Sequence, residues 1–318
     1  MRRLKLVSDD TKIDFMGVRR IALAVSAALM LFSMIDLVAA GLNFGIDFRG
    51  GTLIEARFQD PADLGAVRSA TGDLGLGDVA VQEFGQPTDV LIRVETQPGG
   101  GDAQTAAVAQ VTEALTATFE GVEIRRTETV GPKVSGELIQ AGVLAIVLAV
   151  GAVLVYIWLR FEWQFAVGAV AALAHDVALT IGVFALLQLE FNLSIIAAIL
   201  TIVGYSLNDT VVVFDRVREN LRRYKTTELT EVLNLSVNET LSRTLMTSVT
   251  TLIALLALYF LGGEVIRGFT FAMIWGVVVG TFSSVFVASP LLLLLGVKRD
   301  WGEEDAGPKE GAGVQFGG

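Results

Sequence analysis

The chain has 318 residues, of which 53% are hydrophobic and only 18% charged, and its formal net charge is −10 at pH 7. Soluble domains contain about 45–50% apolar residues, so this composition does not fit an ordinary soluble protein. No basic stripe is present to bind phosphates, which argues against a nucleic-acid partner. The absence of cysteine excludes disulfides, thiolate metal sites and cysteine nucleophiles.

Six apolar stretches are each long enough, at roughly 20 residues, to cross a bilayer core of about 30 Å. They lie at 20–41, 138–159, 166–188, 192–214, 241–261 and 269–295. A signal peptide is the competing interpretation of the first stretch. No small-residue cleavage site interrupts it before Gly41, so we interpret it as a retained helix. The sequence therefore predicts an α-helical polytopic membrane protein.

The orientation of these spans follows from the basic residues between them. Such residues concentrate in the N-terminal segment 1–19, the turn at 160–165, the loop 215–240 and the tail 296–318. The opposite turns, 189–191 and 262–268, hold one basic residue, Arg267. The positive-inside rule then predicts that both termini are cytoplasmic and that 42–136 is periplasmic. The tail is rich in glycine, and we expect it to be disordered.

The acidic segment 42–136, with 14 Asp/Glu against 7 Lys/Arg, has the pattern of a small folded domain. Alternating or β-branched runs predict strands at 52–58, 79–85, 89–96 and 122–130. Two helices are predicted, 61–72 with Asp60 as N-cap and Pro61 in its first position, and 103–120 with Asp102 as N-cap. The resulting order, β-α-β-β-α-β, is an α+β ferredoxin-like arrangement.

Ionisable residues inside the predicted spans need an explanation, because each costs at least about 2.5–3.5 kcal/mol at a helix centre. His175 and Asp176 lie near the middle of the third span. Asn208 and Asp209 lie towards the cytoplasmic end of the fourth, and Arg243 lies close to the same end of the fifth. Asp209 and Arg243 are thus at similar depth, and a contact between them is the leading prediction.

Polar residues at helical spacing accompany this pair. They are Thr201, Tyr205 and Asn208 on the fourth span and Arg243, Thr247 and Thr250 on the fifth. Such stripes are expected to face the bundle interior or a wet cavity. Burial raises the proton affinity of a carboxylate and a nearby arginine lowers it, so a moving arginine would switch Asp209 between binding and releasing a proton.

Other interpretations of these residues stay open. Arg243 could snorkel to the interface, or form a static salt bridge with Asp209 that fixes helix packing. His175 and Asp176 could conduct protons or only pack. Asp215 and Arg216, just past the fourth span, are first of all a cytoplasmic cap. Gly276 and Gly280 predict close helix packing in the sixth span.

Four runs of the sequence resemble the SecF branch of the SecD/SecF family of bacterial protein-export subunits, which is related to the RND transporters. They are Gly45-Ile46-Asp47-Phe48-Arg49-Gly50-Gly51-Thr52, Val130-Gly131-Pro132-Lys133-Val134-Ser135, Gly204-Tyr205-Ser206-Leu207-Asn208-Asp209-Thr210 continuing to Asp215-Arg216, and Asn238-Glu239-Thr240-Leu241-Ser242-Arg243-Thr244. Together with six spans and one outer domain they cover nearly the whole chain. The sister branch, SecD, normally has a much larger outer region.

The resemblance implies an RND-like half that pairs with SecD beside the SecYEG channel, in the bacterial inner membrane. Preprotein substrates, YajC and membrane lipid are the other partners it implies. The pair would use the proton-motive force in late steps of export, with protons as the coupling ion, no cofactor or metal, and no enzymatic activity. Asp209 and Arg243 would correspond to the family's helix-four aspartate and helix-five arginine, with Asn208 beside them.

The remaining residues singled out have lesser roles in this interpretation. Asp176 and His175 form a secondary relay candidate, and a further relay carboxylate is expected on SecD. The family-motif residues with a structural role are Gly45, Asp47, Arg49, Gly50, Gly51, Pro132, Asp215 and Arg216.

Three alternative functions are compatible with parts of the sequence. An RND-type exporter of lipid or drug usually carries twice as many spans and larger outer domains. An intramembrane aspartyl protease could use Asp176 and Asp209, but its Gly-x-Gly-Asp signature is missing. A passive scaffold that stabilises SecD or the channel is the serious rival, since a static salt bridge between Asp209 and Arg243 predicts the same sequence.

Overall fold

The computed structural model describes residues 11–297. Its elements are α1 (Arg19–Ala40), β1 (Asn43–Phe44), α2 (Ile46–Arg49), β2 (Gly51–Arg57), α3 (Leu64–Gly72), β3 (Val79–Phe84), β4 (Gln86–Val94), α4 (Gly101–Thr118), β5 (Glu123–Val130), α5 (Pro132–Arg160), α6 (Trp163–Leu186), β6 (Glu190–Phe191), α7 (Leu193–Arg223), α8 (Leu229–Leu261), α9 (Arg267–Ser283) and α10 (Ser289–Leu295). A 3₁₀ turn (Glu264–Ile266) precedes α9, and a π turn (Ser284–Ala288) joins α9 to α10. The predicted disorder of the tail concerns residues that, from 298 onward, lie outside the described part of the chain.

Six helices within residues 11–297 are long and apolar enough to cross a membrane. They are α1, α5, α6, α7, α8 and the sixth span, Glu264–Leu295, which includes α9 and α10. The predicted polytopic helical fold is therefore confirmed.

The predicted loop at 215–240 is mostly helical, so that part of the prediction was wrong. The helix α7 continues to Arg223 and α8 already begins at Leu229. These extensions carry apolar side chains at helical spacing, and burial of Val217, Leu221 and Val232 in a common core stabilises them beyond the membrane-crossing part. In the same way α5 begins at Pro132, ahead of the predicted 138.

The sixth span is interrupted rather than continuous. Its π turn, Ser284–Ala288, lies directly ahead of Pro290, which has no backbone N–H to donate to the preceding turn. On the α9 side, Gly276 lies against Ile202, and a Cβ placed on Gly280 would lie 3.0 Å from the Cβ of Ser206. The predicted close packing at the two glycines is thus confirmed, and it brings α9 close to α7.

The segment between α1 and α5 folds as a four-stranded sheet covered on one face by α3 and α4. The strand order is β3-β4-β2-β5, with all neighbours antiparallel, as expected for a ferredoxin-like domain. Alternate residues of β2 and β4 point towards the two helices, where Ile54 and Ile92 pack against Val67, Val111 and Leu115.

Three details of this domain differ from the prediction. The first helix begins at Leu64 and is capped by Asp63, whose Oδ1 accepts from the backbone N–H of Gly65 at 2.8 Å; neither Asp60 nor Pro61 has the predicted position. The second helix begins at Gly101 with Gly100 as N-cap, so Asp102 lies within its first turn. The strands β3 and β4 meet at Gly85 alone, because its positive φ of 80° allows a tight turn, so β4 begins at Gln86, ahead of the predicted residue 89.

The centre of the helical bundle consists of α6, α7 and the sixth span. The helix α1 packs on α6, and α8 packs on α7 and α9. Few residues of α5 and α8 are buried, so these helices present wide apolar faces to their surroundings.

Candidate functional site

Asp209 is a buried carboxylate on α7, with 8% of the residue exposed. Thr244 on α8 donates its hydroxyl hydrogen to Oδ1 at 2.5 Å, and Ser284 of the π turn donates to Oδ2 at 2.5 Å. Two other spans thus supply neutral hydroxyl groups to both oxygens. A buried carboxylate held in this way is suited to bind a proton, because within residues 11–297 it forms no ion pair that would stabilise its ionised form.

Arg243 does not contact Asp209, so the predicted direct pair was wrong. Among the described residues the two form no ion pair, and Arg243 is exposed. Successive residues of a helix point about 100° apart, so only one of Arg243 and Thr244 can face α7. Packing assigns that position to Thr244, which is 1% exposed. Arg243 therefore lies on the outer side of α8, one residue before the hydroxyl group that contacts Asp209.

Most residues of the predicted polar stripes do not face the interior. Tyr205 is the exception, since it is half-buried and its hydroxyl group lies 3.5 Å from Ser248 Oγ of α8. Thr201 and Asn208 on α7 are exposed, as are Arg243, Thr247 and Thr250 on α8. The buried polar residues of α8 are Ser236, Thr240, Thr244 and Ser248, and the last two lie alongside the predicted stripe. The membrane-embedded parts of α7 and α8 therefore carry polar groups on their outer sides, and residues 11–297 do not bury these groups.

Asp176 forms a second buried polar cluster with its neighbour His175 on α6, and each is 1% exposed. His175 Nδ1 lies 2.9 Å from Asp176 Oδ1. The other oxygen, Oδ2, accepts from Ser206 of α7 at 2.5 Å and from Ser283 of α9 at 2.8 Å. His175 Nε2 is buried without a hydrogen-bond partner, and the ring stacks on Phe282 with centroids 6.2 Å apart.

The two aspartates are brought together by the sixth span. Ser283 contacts Asp176 and the next residue, Ser284, contacts Asp209. The sequence does not single out these serines, since single hydroxyl residues in apolar helices are common and only packing shows which ones meet a carboxylate. In the part of the chain that the structure describes, no group of three or more His, Asp and Glu could hold a metal ion.

The polar residues after Asp209 join helices at the end of the bundle away from the domain. Asp215 accepts from Arg160 of α5 at 2.8 Å. Arg216 contacts Glu219 at 2.9 Å and Glu239 of α8 at 3.7 Å. Asp215 and Arg216 lie within α7, which ends only at Arg223, so these are contacts along and between helices and not the predicted cap.

The glycine-rich motif forms a joint between the ferredoxin-like domain and the bundle. Asp47 Oδ2 accepts from the backbone N–H of Leu193, the first residue of α7, at 2.9 Å. Gly50 and Gly51 have φ of 72° and 109°, and a side chain on Gly51 would collide with the carbonyl group of Val94. Arg49, in the same motif, is exposed. The motif thus connects β2 to the helix that carries Asp209.

Further contacts hold the same joint. Pro132 occupies the first turn of α5, and the Ser135 hydroxyl donates to the carbonyl oxygen of Phe48 at 2.6 Å. Arg93 of β4 donates to the carbonyl oxygen of Phe44 at 2.8 Å. Gly45 lies against Glu190, and burial raises the pKa of that carboxyl group while Arg93 opposes the rise.

Comparison with known proteins identifies the architecture. The family described as "Protein export membrane protein SecD/SecF, C-terminal" matches residues 110–298, and the SecD/SecF GG motif matches residues 37–62. The protein translocase subunits SecF of Cereibacter sphaeroides and Magnetococcus marinus are 50% and 53% identical, covering 99% and 90% of this chain and 98% and 92% of theirs. The crystal structure of SecDF, a translocon-associated membrane protein from Thermus thermophilus, matches with a TM-score of 0.83 at 36% identity, over 91% of this chain and 39% of that one.

Proposed function

Because this chain belongs to the SecD/SecF family of protein-export membrane proteins, we propose that, as an auxiliary subunit of the Sec translocase, it couples the proton-motive force to late steps of preprotein export. It does so in the bacterial inner membrane, with both termini in the cytoplasm and the ferredoxin-like domain in the periplasm. The distribution of basic residues supports this orientation.

The observation that carries the proton role is the environment of Asp209. Within residues 11–297, its two oxygens accept from the hydroxyl groups of Thr244 and Ser284 alone. A hydroxyl group can donate to a carboxylate or accept from a carboxylic acid, so both contacts survive when Asp209 gains or loses a proton. A permanent ion pair would instead hold the group charged.

Arg243 supplies the charge that controls this proton. Its exposed position beside Thr244 lets the guanidinium move towards or away from Asp209 without disturbing the bundle. Approach of the cation favours the carboxylate and releases the proton, and withdrawal favours uptake. Asn208, also exposed, directly precedes Asp209 on α7.

SecD is the partner that covers the exposed polar sides of α7 and α8. Polar groups facing lipid at this depth are costly, so a second protein should cover Thr201, Thr247 and Arg243. The similarity to part of one longer SecDF chain supports this pairing. The further relay carboxylate then lies on SecD. SecYEG, the preprotein, YajC and membrane lipid complete the set of partners, on the strength of family membership.

Asp176 and His175 form the secondary relay. Both residues are fully buried, and Asp176 accepts hydrogen bonds from Ser206 and Ser283. As at Asp209, these hydroxyl groups can donate to the ionised carboxylate or accept from its protonated form. The unpartnered Nε2 of His175 leaves one ring nitrogen free to exchange a proton.

Substitution of Asp209 by Asn tests the proposal. We expect Asp209→Asn to abolish the gradient-dependent part of preprotein translocation in inverted vesicles, while ATP-driven translocation and co-purification of SecD persist. The matched control is Asp215→Asn, which removes a carboxylate from the exposed end of the same helix. If gradient stimulation survives in Asp209→Asn with the complex intact, the passive scaffold is the correct function.

A further inference from the structure

The two buried aspartates are linked by adjacent serines at a defect in the sixth span. Ser283 is the last residue of α9 and Ser284 the first of the π turn, and both are fully buried. One donates to Asp176 on α6 and the other to Asp209 on α7. A single peptide bond therefore separates groups that contact two carboxylates on different helices.

Each serine hydroxyl has a second acceptor on its own helix. Ser283 Oγ also lies 3.1 Å from the carbonyl oxygen of Gly280, and Ser284 Oγ lies 3.1 Å from that of Thr281. A hydroxyl group carries one hydrogen, so it donates fully to only one acceptor at a time. With the aspartate ionised, the carboxylate is the stronger acceptor and takes the hydrogen.

Protonation of the aspartate reverses this choice. The carboxylic acid can donate its own hydrogen to the serine oxygen, and the serine hydrogen then turns to the backbone carbonyl of its own helix. The affected carbonyls, at Gly280 and Thr281, lie where the α-helical hydrogen-bond pattern gives way to the π turn. That turn is also held by Ser289, whose hydroxyl donates to the carbonyl oxygen of Ser284 at 2.9 Å.

We propose that Ser283 and Ser284 transmit the protonation of Asp176 and Asp209 to the π turn of the sixth span, and through it to each other. This inference rests on the proposed proton role of Asp209. The serines act as positioning residues that report the state of each carboxyl group to the backbone. The charged residue of α8 next to the Asp209 contact is Arg243, which adjoins Thr244, and the titratable neighbour of Asp176 on its own helix is His175.

Hydrogen–deuterium exchange of peptides covering 280–289, in the full chain purified with SecD, tests the link. Asn is neutral and offers an N–H donor, as the protonated acid offers an O–H. Asp209→Asn and Asp176→Asn should each change exchange in this segment by about threefold to tenfold, the size expected for one hydrogen bond. In a Ser283→Ala/Ser284→Ala background both changes should disappear.

Single substitutions and a matched control sharpen the result. Ser283→Ala should remove only the effect of Asp176→Asn, and Ser284→Ala only that of Asp209→Asn. Ser236→Ala also removes a fully buried hydroxyl, one that donates to the carbonyl oxygen of Val232, and should leave both effects in place. The single variants keep the test available if the double variant does not fold.

Two results would overturn the inference. One is exchange that does not respond to the Asn variants in the presence of both serines. The other is a response that persists without them. Gradient-dependent translocation, measured separately, tests the proposed function. If Asp209→Asn alters exchange but retains gradient-dependent translocation, the structural link stands and the proposed proton role of Asp209 is wrong.

Discussion

Thr244 donates its hydroxyl hydrogen to Oδ1 of Asp209 at 2.5 Å, whereas Arg243, one residue earlier on the same helix, is exposed. The arginine is therefore not the structural partner of the aspartate in this chain. The threonine positions the carboxylate, and the proposed effect of Arg243 on its charge is a separate role that substitutions can test independently.

Removal of the Thr244 hydroxyl is expected to impair coupling. Thr244→Val keeps the shape of the side chain but leaves one oxygen of a buried carboxylate without a donor. A hydrogen bond to a charged group is worth about 1.5–3 kcal/mol, so we expect the gradient-dependent translocation rate to fall at least about tenfold. Thr244→Ser keeps the hydroxyl group and should retain most of the rate. Equal activity of the Val and Ser variants would contradict this role.

Loss of Arg243 is expected to affect function and leave stability unchanged. Arg243→Ala removes an exposed side chain that forms no ion pair with Asp209, so the free energy of unfolding should change by less than about 0.5 kcal/mol. Gradient-dependent translocation should nevertheless be lost. Thermal unfolding and vesicle assays on the same preparations measure the two effects. A large drop in Tm would instead favour the static salt bridge.

Asp47 is expected to stabilise the beginning of α7. Its carboxylate accepts from the N–H of Leu193 and carries negative charge at the helix N-terminus, next to the N-cap Asn192. Asp47→Ala should cost about 0.5–2 kcal/mol in unfolding free energy, the range for lost caps. Asp47→Asn keeps an acceptor oxygen and should cost less. Unfolding experiments at matched pH would contradict the prediction if the two variants were equally stable.

Glu190 is expected to make the joint sensitive to pH. Burial raises its pKa above the ordinary 4.5, so the folded protein binds this proton more tightly than the unfolded chain. The stabilising effect is complete below pH 4.5 and is lost as pH rises through the raised pKa. Glu190→Gln should therefore flatten the dependence of Tm on pH above this value and raise Tm at neutral pH. Parallel curves for the wild type and the Gln variant would refute the prediction.

The sequence was a good guide where the deciding interactions are local. Hydropathy over a span and alternation along a strand depend on neighbouring residues, so the six spans and the β-α-β-β-α-β order could be predicted. Helix bounds were less predictable, because the extensions of α7 and α8 depend on Val217 and Val232 being buried against other helices. Asp63, not Asp60, became a cap for a related reason, since the start of α3 depends on how it packs on the sheet.

For the site, hydropathy was sufficient to place Asp209, Asp176 and His175 within membrane spans, because hydrophobic runs flank each of them. Their contacts, in contrast, depend on how the helices pack against one another. The close approach of α9 to α7 at Gly276 and Gly280 accompanies the inward position of Ser283 and Ser284. Packing of α8 on α7 and α9 turns Thr244 inward and leaves Arg243 outside. The helical period of 3.6 residues leaves open which face of a helix turns towards its neighbours, and the packing of three helices against one another decides it.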